Sequence, residues 1–304
     1  MTRTAIFKWI SIAAGLLVCG VSPAQGTFDD LIAGADSAAE LLFTDTSDQV
    51  KISTNEALEL RLSGFLQSDE SVDFTWDSMP FVKFLAPENG SFAIVTWTVP
   101  LQVHTYVYSG FLQKRDKENC VDTVIRLLPA KEEKDIHKSY PAEKWPAAVY
   151  NKILPKKKDA DFYTLFGWVG KPEGHAGKVI ETMAFDTAGM PVFGMPAFAM
   201  KDGSLQNRIF FEYTDQVPFH LAWEKQRLPG EKRKNDHMII FNRIGGNTPG
   251  MGRMFRGPVP SYEYFDAFAR IGGKWVFLED VRPTVDTRDL DDRPPKEIGL
   301  TPEK

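Results

Sequence analysis

Phe92-Ala93-Ile94-Val95-Thr96-Trp97-Thr98-Val99, stopped by Pro100 and followed by His104-Thr105-Tyr106-Val107-Tyr108, is the stretch that decides the fold class. β-Branched and aromatic residues crowd two short runs on either side of a proline break. That composition suits packed, pleated strands, and the proline punctuates them as a turn does. Runs of the same kind recur at residues 121–128, 162–168, 178–185, 208–213, 219–223, 238–244 and 262–270. The clearest hairpin sets Phe268-Ala269-Arg270-Ile271 against Lys274-Trp275-Val276-Phe277 around Gly272-Gly273, two glycines able to take the positive φ of a tight turn. About ten short strands without a βαβ rhythm predict a mainly β fold: an antiparallel sandwich, barrel or propeller-like set of sheets. No convincing internal repeat marks a propeller.

Before about Val72 the period is helical. Phe28, Leu31, Ile32, Ala35, Ala39 and Leu42 recur at three- and four-residue spacing, with Thr27 as a candidate N-cap and Asp29 and Asp30 in the first turn. A second helix start is read at Ser53, with Glu56 three residues on as in a capping box. Between the strands, residues 135–153 are broken by Pro141 and Pro146 and read as a loop with one short helix at 147–152. Pro229-Gly230 marks a reversal in a basic loop with Lys232, Arg233 and Lys234.

The chain opens like a secretory signal: Arg3 and Lys8, an apolar core at residues 10–21 too short to span a bilayer, and the small-residue site Val21-Ser22-Pro23-Ala24. Cleavage is expected after Ala24. A lipid anchor at Cys19 competes, but Val18 is bulky where such sites want a small residue. The expected divisions are a signal peptide at 1–24, an acidic helical segment at 25–71, an antiparallel β domain at 72–283 and a flexible charged tail at 284–304. No later segment is apolar for long enough to cross a membrane, so the cleaved chain is expected to be soluble, periplasmic or extracellular. Cleavage would leave Cys120 as a single structural thiol, and stability would rest on the core, which 280 residues are enough to build.

Charge is uneven. Residues 25–80 hold twelve acidic and two basic side chains, net −10, and residues 81–281 hold 27 basic and 23 acidic, net +4. The acidic segment is therefore expected either to dock on the basic body or to present a solvated acidic face. Nothing has the strongly basic stripe that nucleic-acid binding needs.

Candidate chemistry is diffuse, and no catalytic residue, cofactor site or metal site is assigned. Met190, Met195 and Met200, with Met251 and Met254, could offer soft thioether ligands, but their apolar setting favours core packing. His104, His137, His175, His220 and His237 show no paired ligand spacing; His104 and His220 fall in strand-like runs, and His175 is read as exposed. Glu181, Asp186, Glu212, Asp236, Asp266, Glu279 and Asp280 lie in or beside strands, mostly as solvent-facing members, where two could meet as a glycosidase pair. Asp286, Asp289, Asp291 and Asp292 lack the glycine and closing glutamate of a calcium loop. The better lead towards binding is aromatic: Tyr106, Tyr108, Tyr163, Trp168, Tyr213, Trp223, Tyr262 and Tyr264 stand at strand positions, either as a binding platform or as cross-strand core pairs.

Leu154-Pro155-Lys156-Lys157-Lys158 before Tyr163-Thr164-Leu165-Phe166-Gly167-Trp168, then Ile209-Phe210-Phe211-Glu212-Tyr213, Met238-Ile239-Ile240-Phe241-Asn242 and Gly273-Lys274-Trp275, together resemble an uncharacterised family of exported β-rich proteins common in Bacteroidota. The likeness covers roughly residues 73–281 and implies export and a β-rich fold. It implies no activity and carries over no catalytic residues. Where that resemblance leads one to expect Gly-Pro-Asp-Gly-Ser-Tyr, this chain has Gly257-Pro258-Val259-Pro260-Ser261-Tyr262, without the acidic residue. The functional expectation is a non-catalytic envelope module binding a carbohydrate, lipid or protein partner. An exported hydrolase whose carboxylates or histidines meet only in the fold is the alternative, and a purely structural envelope protein a third reading.

Overall fold

The computed structural model describes residues 28–131, 134–156, 160–171, 175–227, 235–245 and 257–282. The expected signal peptide with its cleavage site, Cys19, the Thr27 cap, the basic loop at 229–234, Met251, Met254, the Asp-rich run and the tail at 284–304 lie outside them.

Two helices come first, α1 (Phe28–Thr44) and α2 (Asp48–Leu66). The second begins earlier than Ser53. Ser47 is its N-cap, accepting from the Val50 N–H, and Ser53 sits inside the helix with its hydroxyl turned back on the Val50 carbonyl. Short 3-10 turns at Asp69–Ser71 and Trp76–Ser78 follow α2.

The strands are β1 (Lys83–Leu85), β2 (Phe92–Pro100), β3 (Tyr106–Arg115), β4 (Val121–Leu127), β5 (Tyr140–Pro141), β6 (Val149–Leu154), β7 (Tyr163–Gly170), β8 (His175–Phe185), β9 (Pro191–Phe193), β10 (Phe198–Ala199), β11 (Leu205–Gln206), β12 (Arg208–Thr214), β13 (Leu221–Arg227), β14 (Asn235–Gly245), β15 (Val259–Ile271) and β16 (Lys274–Val281). The fold is mainly β and almost wholly antiparallel, β10 beside β16 being a parallel exception. The short helix expected at 147–152 is strand β6, and a 3-10 turn at Ala142–Lys144 precedes it. Gly272 and Gly273 take φ of 57° and 76° at the predicted hairpin.

Three sheets stack face to face in a sandwich-like arrangement. The first runs β1-β2-β3-β4, the middle one β5-β9-β8-β7-β6 with β12 beside β8, and the outer one β11-β10-β16-β15-β14-β13. The alternation of each strand explains the stacking. In the first sheet Val95, Trp97, Val99 and Phe111 face the helices and meet Leu42, Leu58, Leu62 and Phe65, while Phe92, Ile94 and Leu112 face the middle sheet and meet Leu165, Val179 and Met183. On the other side of the middle sheet, Phe166 and Ile180 pack on Phe198, Ile239, Phe241 and Phe268 of the outer sheet.

Hydrogen bonds to buried groups help pin each interface. Trp97 Nε1 donates to Asn55 on α2 at 2.7 Å, the Tyr150 N–H donates to Thr96 Oγ1 at 3.0 Å, and Trp275 Nε1 donates to Thr164 Oγ1 at 3.0 Å. These satisfy polar groups that burial would otherwise leave unpaired, which fixes the position of each layer. The acidic helical segment thus docks on the first sheet mainly through apolar side chains, with Lys51 donating to the Pro100 carbonyl and Arg126 paired to Glu59 at the margin.

Cys120 lies just before β4. Among the described residues no helix is long and apolar enough to cross a membrane.

Candidate functional site

The eight aromatic residues separate by environment. Tyr163 and Tyr213 are buried core members, and Tyr106, Tyr108 and Trp168 are half-buried, with Tyr106 edge-on to Trp168 at 5.4 Å. Trp223 is stacked on His237 at 4.2 Å. Tyr262 and Tyr264 are different, 71% and 55% exposed.

Their exposure comes from the register of β14 and β15. Asn242 pairs with Phe265, yet Ile244, two residues on, pairs with Pro260, so β15 spends five residues where β14 spends two. The surplus chain leaves the sheet as a bulge. Ser261 closes it: its hydroxyl accepts from the N–H groups of Glu263 at 3.2 Å and Tyr264 at 3.1 Å, and its carbonyl accepts from Asn242 Nδ2 at 2.7 Å. Tyr262, Glu263 and Tyr264 are consequently three successive exposed residues at the rim of the outer sheet, where alternation would have buried one or two of them.

A polar brace supports the bulge. Arg243 takes Asp266 in a bidentate grip, Nε to Oδ2 at 3.0 Å and Nη2 to Oδ1 at 2.5 Å, and Nη2 also donates to Asp280 at 2.7 Å. Asp266 further accepts the Asp280 N–H at 3.1 Å, and Glu279 stands 3.8 Å from the guanidinium. Hydrogen bonding to Asp266 raises the pKa of Arg243 further, so the charge is permanent. The guanidinium lies 5.8 Å from the Tyr264 ring centre, within cation–π range. An aromatic platform with a fixed cation and carboxylates at its edge can stack on a C–H face and bond polar groups around it.

A second concentration of charge is internal. Glu181 on β8 faces Arg208 on β12, with Nε to Oε2 at 2.9 Å and side chains 1% and 3% exposed. Arg208 also donates to the Asp135 carbonyl at 2.6 Å and lies 4.8 Å from the Tyr140 ring centre. Burial pushes the Glu181 carboxyl up, against the pull of Arg208. Lys134 sits beside this pair, donating to the Ala147 carbonyl at 3.1 Å, and burial lowers its amine to about 8. Tyr150 is raised well above its ordinary value by burial, and Tyr108, which accepts the Gly170 N–H at 2.7 Å, is pushed up to about 12 by the same cause. The chain of charge continues outward through Glu212, which bonds His175 at 2.8 Å and Lys171 at 2.9 Å; these hydrogen bonds lower its pKa.

Two cavities lie apart from that interior cluster. One, of about 420 Å³, lies between the β1–β2 and β6–β7 connections and is lined by Glu88, Asn89, Lys156, Asp161 and Tyr163 among others. The other, of about 410 Å³, lies between α2 and the first sheet, lined by Glu56, Glu59, Leu60, Ser63, Phe111, Val124 and Arg126.

The remaining singled-out residues have structural partners. Met190 packs on the core between the first and middle sheets, and Met195 and Met200 on that between the middle and outer sheets. His175 is half-buried on Glu212 rather than simply exposed, because β8 and β12 bring the two side chains to one face. His104 is at a hairpin tip rather than in a strand, and His220 lies just before β13, its ring 3.3 Å from Glu224. His137 Nδ1 meets the Leu205 carbonyl at 3.1 Å. Asp186 caps a turn through the Ala188 and Met190 N–H groups, and Asp236 accepts from the His237 N–H. The carboxylates read as solvent-facing are thus largely engaged, Glu181 most deeply. Among the described residues no three His, Cys, Asp or Glu side chains come together as a metal site.

Sequence reasoning missed Lys134, Arg208 and Arg243. Arg208 carried a readable signal, since Arg208, Phe210 and Glu212 alternate along one strand and put both charges on the face that Glu181 shares. No family model, curated protein or solved structure matches the chain.

Proposed function

We propose that this protein is an exported, non-catalytic β module, related to the exported β-rich proteins its motifs resemble, that binds an envelope carbohydrate on the Tyr262–Tyr264 bulge. The observation that carries the reading is the departure of β15 from its register, which places two tyrosines in solvent beside a braced arginine. Exposing two large rings forgoes burial that each would otherwise gain, so a ligand that covers them recovers it. A lipid surface calls for a contiguous apolar patch. Here Glu263, Arg243 and Asp280 edge the rings, which suits a polyhydroxylated ring with an apolar face.

The test is a thermal-shift series on the purified protein against envelope polysaccharide fragments and anionic lipid vesicles. A ligand that binds the folded state raises Tm with concentration. A rise with one glycan class supports the reading, and a rise with vesicles alone refutes it.

The hydrolase reading has one observation in its favour, Glu88 and Asp161 lining one cavity. Glycan turnover lost in both Glu88→Gln and Asp161→Asn would establish it in place of the binding reading.

A further inference from the structure

We propose that the groove between α2 and β4 is a second binding site, one that takes an extended peptide segment of a partner protein carrying a basic side chain. β4 ends the first sheet, and among the described residues β3 is the only strand paired with it. The free side is oriented for pairing. Leu128 directs its N–H to the Ala142 carbonyl and its C=O to the Trp145 N–H, both away from β3. Backbone groups two residues apart point the same way, so Val124 and Arg126 present theirs on that side too. The segment at the 3-10 turn Ala142–Lys144 bonds the chain at Leu128 and Ala130, beyond Val124 and Arg126.

The side chains of Val124 and Arg126 point to the helix, as the cavity they share with Glu56, Glu59, Leu60 and Ser63 requires. A peptide added beside β4 would send every second side chain into that cavity of about 410 Å³. Those side chains meet two carboxylates and one guanidinium. Glu59 is spoken for by Ser109 at 2.5 Å, Asn55 at 3.3 Å and Arg126, whereas Glu56 is exposed at the rim. The Asn55 that orients Glu59 is itself fixed by buried Trp97, so the groove wall is preorganised. The surplus acidic charge favours Lys or Arg at the position opposite Val124, and Leu60, 77% exposed, offers apolar contact to its stem.

The experiment is selection of phage-displayed random linear peptides on the purified full chain, with affinities of the enriched peptides measured by fluorescence anisotropy. Enriched peptides carry a basic residue in alternation with β-branched or apolar ones. Val124→Pro removes an outward N–H without touching the ladder to β3, and Glu56→Lys reverses the rim charge at an exposed site. Each weakens binding by about tenfold or more while circular dichroism and Tm stay near those of the parent. Failure to enrich peptides, enrichment without a basic residue, or affinities unmoved in folded Glu56→Lys overturns the proposal.

Discussion

Glu181 and Arg208 face each other across β8 and β12, Nε to Oε2 at 2.9 Å, with side chains 1% and 3% exposed, sealed between the first and middle sheets. Desolvating both charges offsets much of their attraction, so the pair is worth more as a constraint on register than as net stability. Breaking it and replacing it should differ sharply. Glu181→Gln leaves a guanidinium buried without its counter-charge and is expected to cost about 3–5 kcal/mol, whereas Glu181→Leu with Arg208→Met is expected to cost far less. Urea unfolding of the three proteins checks this.

Lys134 gives the pair a pH signature. Its folded pKa of about 8 lies below the ordinary 10.5, so between those values the unfolded chain holds a proton that the folded chain has shed. Stability therefore rises with pH through that window, and the burial cost is felt in full below about 8. Lys134→Met removes the slope. The difference between wild type and variant, followed by urea unfolding from neutral pH to the alkaline limit, should amount to about 2–3 kcal/mol.

Val103 and His104 close the β2–β3 hairpin at φ of 57° and 52°, and Val103 is 83% exposed. A β-branched residue in the left-handed region is strained, and this one has almost no burial to compensate. Val103→Gly is expected to stabilise by about 1 kcal/mol, read as an upward shift in the urea midpoint with an unchanged slope.

Gly194 makes the opposite case. At φ of 84°, a Cβ would stand 2.3 Å from Arg208 Nη2 and 2.8 Å from the Lys138 carbonyl, a backbone atom that cannot swing aside. Gly194→Ala is expected to cost about 3 kcal/mol or more, combining positive-φ strain with displacement of the buried guanidinium. A loss below about 1 kcal/mol by urea unfolding would contradict the geometry.

The long strands were legible because β-branched and aromatic residues crowd runs of five to nine residues in them. Strands β5, β9, β10 and β11 have two or three residues each, too few for any period to register. Strand β6 was misread because Val149, Tyr150, Ile153 and Leu154 have the spacing of a helical face, and pairing with β7 overrides it. The start of α2 was misplaced because Ser53 and Glu56 mimic a cap inside a helix that Ser47 already begins. The site was half visible. Tyr262 and Tyr264 stood out by type, but only the register of β14 against β15 separates them from buried Tyr163 and Tyr213. Lys134 stands just before the segment read as loop, residues 135–153, and nothing local announces that the fold will bury its amine.

The central claim is that the tyrosine bulge binds glycan, and the direct measurement is binding of wild type and of Tyr262→Ala/Tyr264→Ala to an array of bacterial envelope glycans. Both side chains are mostly exposed, so the variant should keep its Tm to within what surface changes cost. The account predicts that wild type retains one glycan class and that the folded variant loses it by about tenfold or more. Equal binding by the two proteins, or no glycan bound by wild type, would contradict it.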